Sequence, residues 1–565
     1  MARHNTATHT PLRTAPTTGA AAPDTTNAEG APAHSRDPLT ELYLLAVSYM
    51  GTGAFYETEL GRAERYRTLV AQCAVADPDW MARFLPWLRT TAGMRAASVE
   101  GGVEAAYAMT RAGVPGGRGV LASALHRADE PAEALAYARA RYGRTLPRAV
   151  SNGLADACTR LYNEFSAGKW DSAEGHYRFG DLIRTLHPRP KDDAQAALFR
   201  YLSRTRTDSG MAIPYELKMV RAARAARMEL LGRGKAALEG YDTEQLRRAL
   251  KAAGLTWEDL LSLAGETDIE ARFMWELCLP YVGYQALVKN LRNLDHLGVS
   301  DELAAQAAAR IADPEAAARG NMLPLAFWKA HKAVGTLRWG HALEQGLNHT
   351  LSNIAPLAGR TLVLADRSGS MFWDSLEELR KRLRDPARTM PRTQPPAAHT
   401  SLADAAALFA SAVAKRAQSA DLWWFDNEAH RVGFHRSDSV LTMMGRFGGE
   451  RGGTDIGGAL AAAYQGHDRV IILTDEQDQY GARQVRSADW AHQLTLGQAR
   501  YDVLGRVVHE PVVPARVPVY VWNLAGYPAG YLPHNGNRFV FGGLSDASFG
   551  MVSQLEHSGK AVWPF

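Results

Sequence analysis

The stretch TLVLADRSGSMFWDS, residues 361–375, sets an apolar run directly against a turn containing Asp366, Ser368 and Ser370. Such a run, closed by turn formers, reads as a short strand buried on both faces. DLWWFD (421–426), RVIILTD (469–475) and VPVYVWNLAG (517–526) have the same texture, rich in β-branched and aromatic residues. Helical patterns such as SLADAAALFASAVAKRAQ (401–418) and GGALAAAY (457–464) lie between them. Apolar strands alternating with helices imply a parallel, doubly wound sheet covered on both faces. Sites in such sheets lie at the carboxyl ends of the strands. Asp366 and Asp475 each stand directly after an apolar strand run.

Asp366, Ser368 and Ser370 form D-x-S-x-S, whose oxygens can converge on one point. Thr454, in the Gly-rich GGTDIGGA (452–459), offers a further hydroxyl just before a helix, and Asp475 a second carboxylate from a second strand end. All are hard oxygen donors, without sulfur or imidazole. That set suits Mg²⁺ or another divalent cation, with an open position for an acidic group of a partner. The competing readings are that Ser368 and Ser370 only cap the helix that follows, or that the site folds identically but holds no metal. All five positions resemble the metal-ion-dependent adhesion site of a von Willebrand factor A domain. Residues 356–565 are assigned to that domain, and the Pro-rich stretch 385–400 to an exposed loop within it.

From about Leu39 to Asn348 the texture is almost wholly helical. EPAEALAYARARYG (130–143), ELKMVRAARAARMELLG (216–232), TEQLRRALKAAG (243–254) and DELAAQAAARIA (301–312) repeat apolar residues at spacings of three and four. AGVPGGRG (112–119) and LHPRP (186–190) punctuate them. Many short amphipathic helices need neighbours to cover their apolar faces, which predicts a helical-repeat solenoid over residues 37–355, without a clean sequence period. Residues 1–36, rich in Ala, Thr and Pro, read as a disordered tail.

Composition sets outer limits. The chain has 565 residues, too many for one ordinary core, with 46% apolar and 22% charged residues, as in globular proteins. A net charge of +4 argues against a wholly basic coat but allows a local basic face. Cys73, Cys158 and Cys278 are far apart in sequence and suggest neither a disulfide framework nor a zinc site, which fits a cytoplasmic location. No apolar run approaches the roughly 18 residues that span a bilayer, so no membrane partner is expected.

A helical module followed by an A domain resembles the Ro autoantigen, or TROVE-module, family, in its bacterial form. The resemblance runs over residues 38–565 and is carried in order by GTGAFYETELGRAERYRTLVA (51–71), LPRAVSNGLADACTRLYNEF (146–165), GDLIRTLHPRP (180–190), YVGYQALVKNLRNLDHLGV (281–299) and LPLAFWKAHKAV (323–334). The block from Arg148 to Tyr162 is about one helical turn longer than the family pattern. The resemblance implies a HEAT-like ring closed by the A domain. It also implies binding of small noncoding Y RNA on the outer face and of single-stranded 3′ ends of misfolded RNA in the hole. It further implies a role in RNA quality control, maturation or decay, alongside an exoribonuclease or other RNA-processing protein. A monomer is expected.

RNA binding needs cations for phosphates and planar groups for bases. The candidates are Arg148, Arg160, Arg184, His187, Arg189 and Lys191, then Lys218, Arg221 and Arg224 on one helical face with Arg227 slightly round it, then Lys289 and Arg292, which share a face of the helix read in ALVKNLRNL (286–294). Arg184, His187 and Arg189 are expected on the outer face, Lys289 and Arg292 in the interior. His187, beside Pro188, reads equally as a local helix-end residue. For catalysis there is no nucleophile with a paired base, no Gly-x-Ser-x-Gly elbow and no Walker loop, so no enzymatic activity is expected. The rival reading is a metal-dependent A-domain adhesion or scaffold protein without RNA function.

Overall fold

The computed structural model describes residues 24–48, then 56–350 apart from 172–174, 176, 205–211, 239–241, 321, 323 and 335, and, in the C-terminal part, 356–372, 401–449, 452–478, 497–501, 507–514, 516–531, 537–543, 548, 551–552, 556 and 563–565. The Pro-rich stretch 385–400 lies outside them. The chain divides into two compact units. One comprises residues 1–48, 53–59 and 351–565, the other 49–52 and 60–350.

The second unit is helical. Its helices run from Glu59–Ala76 through Arg95–Ala112, Arg148–Leu161 and Lys218–Arg233 to Gly340–Thr350. Successive helices cover one another as the amphipathic pattern requires. Leu121, Leu135, Val150, Leu154, Cys158, Tyr162, Phe179 and Leu198 share one buried cluster, and the Tyr162 and Phe179 rings stack 3.9 Å apart. Small residues set the approach of neighbouring helices. A Cβ on Gly153 would stand 2.8 Å from the Arg118 carbonyl oxygen, and one on Gly180 would collide with that of Leu202. The three cysteines are free and buried.

The first unit is built on a six-stranded sheet. Its strands are β3 (Leu357–Asp366), β4 (Ala417–Phe425), β5 (Ala429–Arg431), β6 (Arg469–Thr474), β9 (Val519–Asn523) and β11 (Arg538–Gly542), in the order β11-β9-β6-β3-β4-β5. Five strands are parallel, and β5 is an antiparallel edge. A hairpin of β7 (Gly497–Tyr501) and β8 (Val507–Pro511) stands apart from it. From β3 the chain runs first to β4 on one side and then to β6 on the other. The strand order therefore reverses beside β3, and a doubly wound fold opens its crevice at that point. Helix Leu402–Arg416, capped by Ser401 and Asp404, buries nearly every residue from Ala403 to Ala414 against β3, β4 and β6.

The N-terminal expectation is corrected. Residues 1–23 lie outside the described set, but 24–36 are built into the sheet unit. Strand β1 (Thr25–Thr26) pairs with β2 (Pro32–Ser35), which pairs with β10 (Ala529–Gly530). Ala31 and Ala33 are buried, so small side chains suffice where the backbone itself makes the bonds. Helix Pro38–Ser48, read from sequence as the start of the helical module, also belongs to this unit. Its Leu42, Leu44, Leu45 and Val47 are buried, and the Tyr43 hydroxyl donates to the Gly542 carbonyl at 3.3 Å.

Candidate functional site

The D-x-S-x-S turn leaves β3 at the strand-order reversal. Asp366 is wholly buried; its Oδ1 accepts from the Ser368 backbone N–H at 2.8 Å and its Oδ2 from the Thr474 hydroxyl at 2.5 Å. Thr474 ends β6, so this bond ties the two strand ends together. The Ser368 and Ser370 hydroxyls lie 3.3 Å apart. The Gly369 N–H donates to the Gly452 carbonyl at 2.9 Å, which brings the Gly-rich loop with buried Thr454 against the same turn. The next residue, Asp455, caps helix Ile456–Ala463 by accepting from Gly458.

Asp475 follows β6. Its Oδ1 accepts from the Gln477 N–H at 3.1 Å, while its Oδ2 is buried without a hydrogen-bond partner among the described residues. Burial, and next the charge of Asp366 beside it, push the Asp475 carboxyl up to about 7, and burial pushes Asp366 up to about 6. Two carboxylates thus share one buried crevice with two hydroxyls, and among the described residues neither is ion-paired with an arginine or lysine. A divalent cation would complete this donor set. The set is lean. Among the described residues no group of three or more His, Cys, Asp or Glu is arranged to hold a metal. A cation here would rest on two carboxylates, hydroxyls and solvent.

Two further residues shape this crevice. Arg367, between the ligand-type residues of the turn, is buried; its Nε donates to the Gly448 carbonyl at 2.7 Å and its Nη1 to that of Ala403 at 3.0 Å. Desolvation lowers its guanidinium to about 10. It fixes the turn to two neighbouring segments and is not a free cation. Asp426, directly after β4, is buried, with Oδ1 accepting from Glu428 and Oδ2 unpartnered. It was missed in the sequence, although DLWWFD has the same strand-then-Asp form as the two runs that were singled out.

The predicted RNA cations separate into groups. Lys218, Arg221 and Arg224 are exposed along helix Lys218–Arg233, and none carries an ion pair among the described residues. The Glu164 carboxylate accepts from the N–H groups of Met219 and Val220 at the helix start. Arg227 is ion-paired with Asp259. Arg160 is committed: its Nη2 donates to the carbonyls of Ala122 and Leu125. Arg184 is committed as well, to the Ser203 carbonyl at 2.6 Å and to Asp181. Both are better described as ties between helices than as open phosphate contacts.

His187 ends helix Phe179–Leu186 in the left-handed conformation, φ +50°, with its N–H donating to Ile183. Its exposed ring, with exposed Arg189 and Lys191, follows that helix end. The Thr159 hydroxyl donates to the Arg189 carbonyl, so this loop sits at the C-terminal end of helix Arg148–Leu161. Arg148 opens the same 14-residue helix, about 20 Å away along its axis. It is not brought into one patch with Arg189. Lys289 and Arg292 are exposed, but not on one helix as the sequence suggested. Asn290, at φ −102° and ψ 6°, breaks the segment into Tyr284–Lys289 and Leu291–His296. Lys289 instead borders a concavity of about 590 Å³ with Lys169, Trp257, Gln285 and Arg319.

With this geometry in hand, residues 247–383 match the TROVE domain. That span contains Lys289, Arg292 and the D-x-S-x-S turn. The crystal structure of the Deinococcus radiodurans Ro (RSR) protein matches the fold at a TM-score of 0.56 and 18% identity, covering 93% of this chain and 100% of that one. The TROVE match is confined to that span, and the likeness to the Ro protein is one of fold. No curated protein matches this chain in sequence. No helix among the described residues is long and apolar enough to cross a membrane.

Proposed function

We propose that this chain is a Ro-family protein, a non-enzymatic RNA-binding protein acting in RNA quality control, maturation or decay. Its helical unit takes a small, structured Y-like RNA and the single-stranded ends of misfolded RNA. Its sheet unit holds Mg²⁺ through Asp366, Ser368, Ser370, Thr454 and Asp475 and offers an open position to an acidic group of a processing partner such as an exoribonuclease. The observation that carries the RNA reading is the run of exposed Lys218, Arg221 and Arg224, without ion pairs among the described residues, on a unit that also bears most of the TROVE match. Cations without acidic partners are the ones free to release counterions from phosphate.

Two ligand classes are supported by two kinds of surface. The concavity at Lys289 sets cations beside the Trp257 ring and the Gln285 amide, which suits unstacked bases. The loop at His187, Arg189 and Lys191 presents cations without a pocket, which suits the fixed phosphates of a stem. Gel-shift competition tests this: replacing His187 and Arg189 by Ser should weaken a stem-loop and spare a short single-stranded tail. Equal loss of both ligands would refute the two-surface reading. Retention of both would return His187 to its helix-end role.

A further inference from the structure

Three consecutive residues after Asp475 are each held by the N-terminal segment. Arg36 makes an ion pair with Glu476 in which the two side chains are only 5% and 0% exposed. Gln477 Oε1 accepts from the Ala28 N–H at 2.9 Å. The Asp478 carbonyl accepts from Asn27 Nδ2 at 3.0 Å. These contacts join residues more than 430 positions apart in sequence, and β2–β10 pairing anchors the segment that makes them.

The loop they hold would not adopt its shape unaided. Glu476 has φ +63°, one of two non-glycine residues with positive φ among the described residues. Such a conformation is unfavourable for a residue with a Cβ and persists only where the surroundings impose it. Arg36 and Asn523 Nδ2 both engage Glu476 Oε2, and Glu476 Oε1 is buried without a hydrogen bond. The glycine at 530 fits the same arrangement: a Cβ there would run into Arg36 Nη2 and Glu476 Oε1. Arg36 also donates to the Tyr527 carbonyl, so its guanidinium links the loop, the segment before β10 and the N-terminal strand.

We propose that residues 27–36 are an intrachain strap that positions Asp475 for cation binding, with Arg36 as the positioning residue. The proposal rests on the cation reading of Asp366 and Asp475 given above. Arg36 acts at one remove. It holds Glu476 in its left-handed conformation and thereby aims the Asp475 side chain, one residue earlier, into the crevice beside Asp366. Loss of such supporting contacts lowers metal affinity by about 10- to 100-fold in other metal sites.

The test uses the full chain and Mn²⁺ as the probe, followed by calorimetry and by electron paramagnetic resonance of free ion. Arg36→Met should raise the Mn²⁺ Kd at least about tenfold, Arg36→Lys should recover part of the loss, and Asn27→Ala should give a smaller loss in the same direction. Hydrogen exchange at the amides of residues 476–478 should quicken in Arg36→Met, without a change in the helical unit. Wild-type Mn²⁺ affinity in both Arg36→Met and Asn27→Ala overturns the strap. If the wild-type chain takes no Mn²⁺, the cation reading is what has failed. Exchange at 476–478 then decides the strap by itself: unchanged rates in Arg36→Met and Asn27→Ala overturn it, and faster rates support it as the device that holds this loop. Should Arg36→Met fail to fold, Asn27→Ala and Arg36→Lys carry the same two readouts.

Discussion

Replacing Lys218, Arg221 and Arg224 by Gln removes three exposed positive charges that carry no ion pair among the described residues. Spaced three residues apart on one helix, they span about 9 Å along the axis, enough to meet two successive phosphates of a single strand. Each phosphate contact on a single strand adds about −0.7 to the slope of log K against log salt. The triple variant should therefore bind single-stranded RNA with a slope shallower by about 1.4 to 2. Between 50 and 200 mM salt that difference changes the ratio of wild-type to variant affinity by roughly 7- to 16-fold, with the larger deficit at low salt. Fluorescence anisotropy of a labelled oligonucleotide across that range reads it directly. Arg160→Gln is the matched control. Its guanidinium already serves the carbonyls of Ala122 and Leu125, so its loss should leave the slope unchanged and cost about 1–3 kcal/mol of stability. An unchanged slope in the triple variant, or a shallower one in Arg160→Gln at full stability, would refute the division into free and committed cations.

Other outcomes follow from the same structure. Asp366→Ala should abolish Mn²⁺ binding in calorimetry while the circular dichroism spectrum is retained, because the β3 backbone ladder does not depend on the carboxylate. Saturating Mg²⁺, at about a hundred times its Kd, should stabilise the wild-type chain by about 2.7 kcal/mol and leave Asp366→Ala unaffected, measured as thermal midpoints with and without chelator. Gly153→Val places atoms against the Arg118 carbonyl and should destabilise the helical unit by about 1–3 kcal/mol in denaturant titration. Burial holds the His467 imidazole below its usual 6.5, with Asp421 partly opposing the shift. The folded state then binds fewer protons than the unfolded chain. Its contribution is full above pH 6.5 and declines as pH falls from there toward the lower folded value. His467→Gln should flatten that part of the stability profile.

The parallel sheet and the crevice were legible because they are encoded locally. TLVLAD and RVIILTD each carry a buried strand and its terminal carboxylate in one short window, and Thr454 sits in a glycine-rich loop that announces a turn before a helix. The N-terminal strap was not legible. PAHS has no strand-like alternation, and its partner is Ala529–Gly530, almost 500 residues away. Small buried alanines in a polar segment look disordered until the distant edge that pairs with them is known. The same holds for the cations. Nothing in LIRTLHPRPK distinguishes Arg184, tied to Ser203, from Arg189, which is exposed, because the deciding acceptor lies on another helix. The break at Asn290 was hidden by an apolar spacing that continues across it through Leu287, Leu291 and Leu294.

Photocrosslinking of RNA to the full chain, with adducts mapped by mass spectrometry, tests the RNA-binding account most directly. Adducts should concentrate in the helical unit, at residues 218–224, 187–191 and around Trp257 and Lys289, and should fall as salt rises. Adducts confined to the sheet unit, or none at low salt, would contradict the account and favour a metal-dependent scaffold without RNA function.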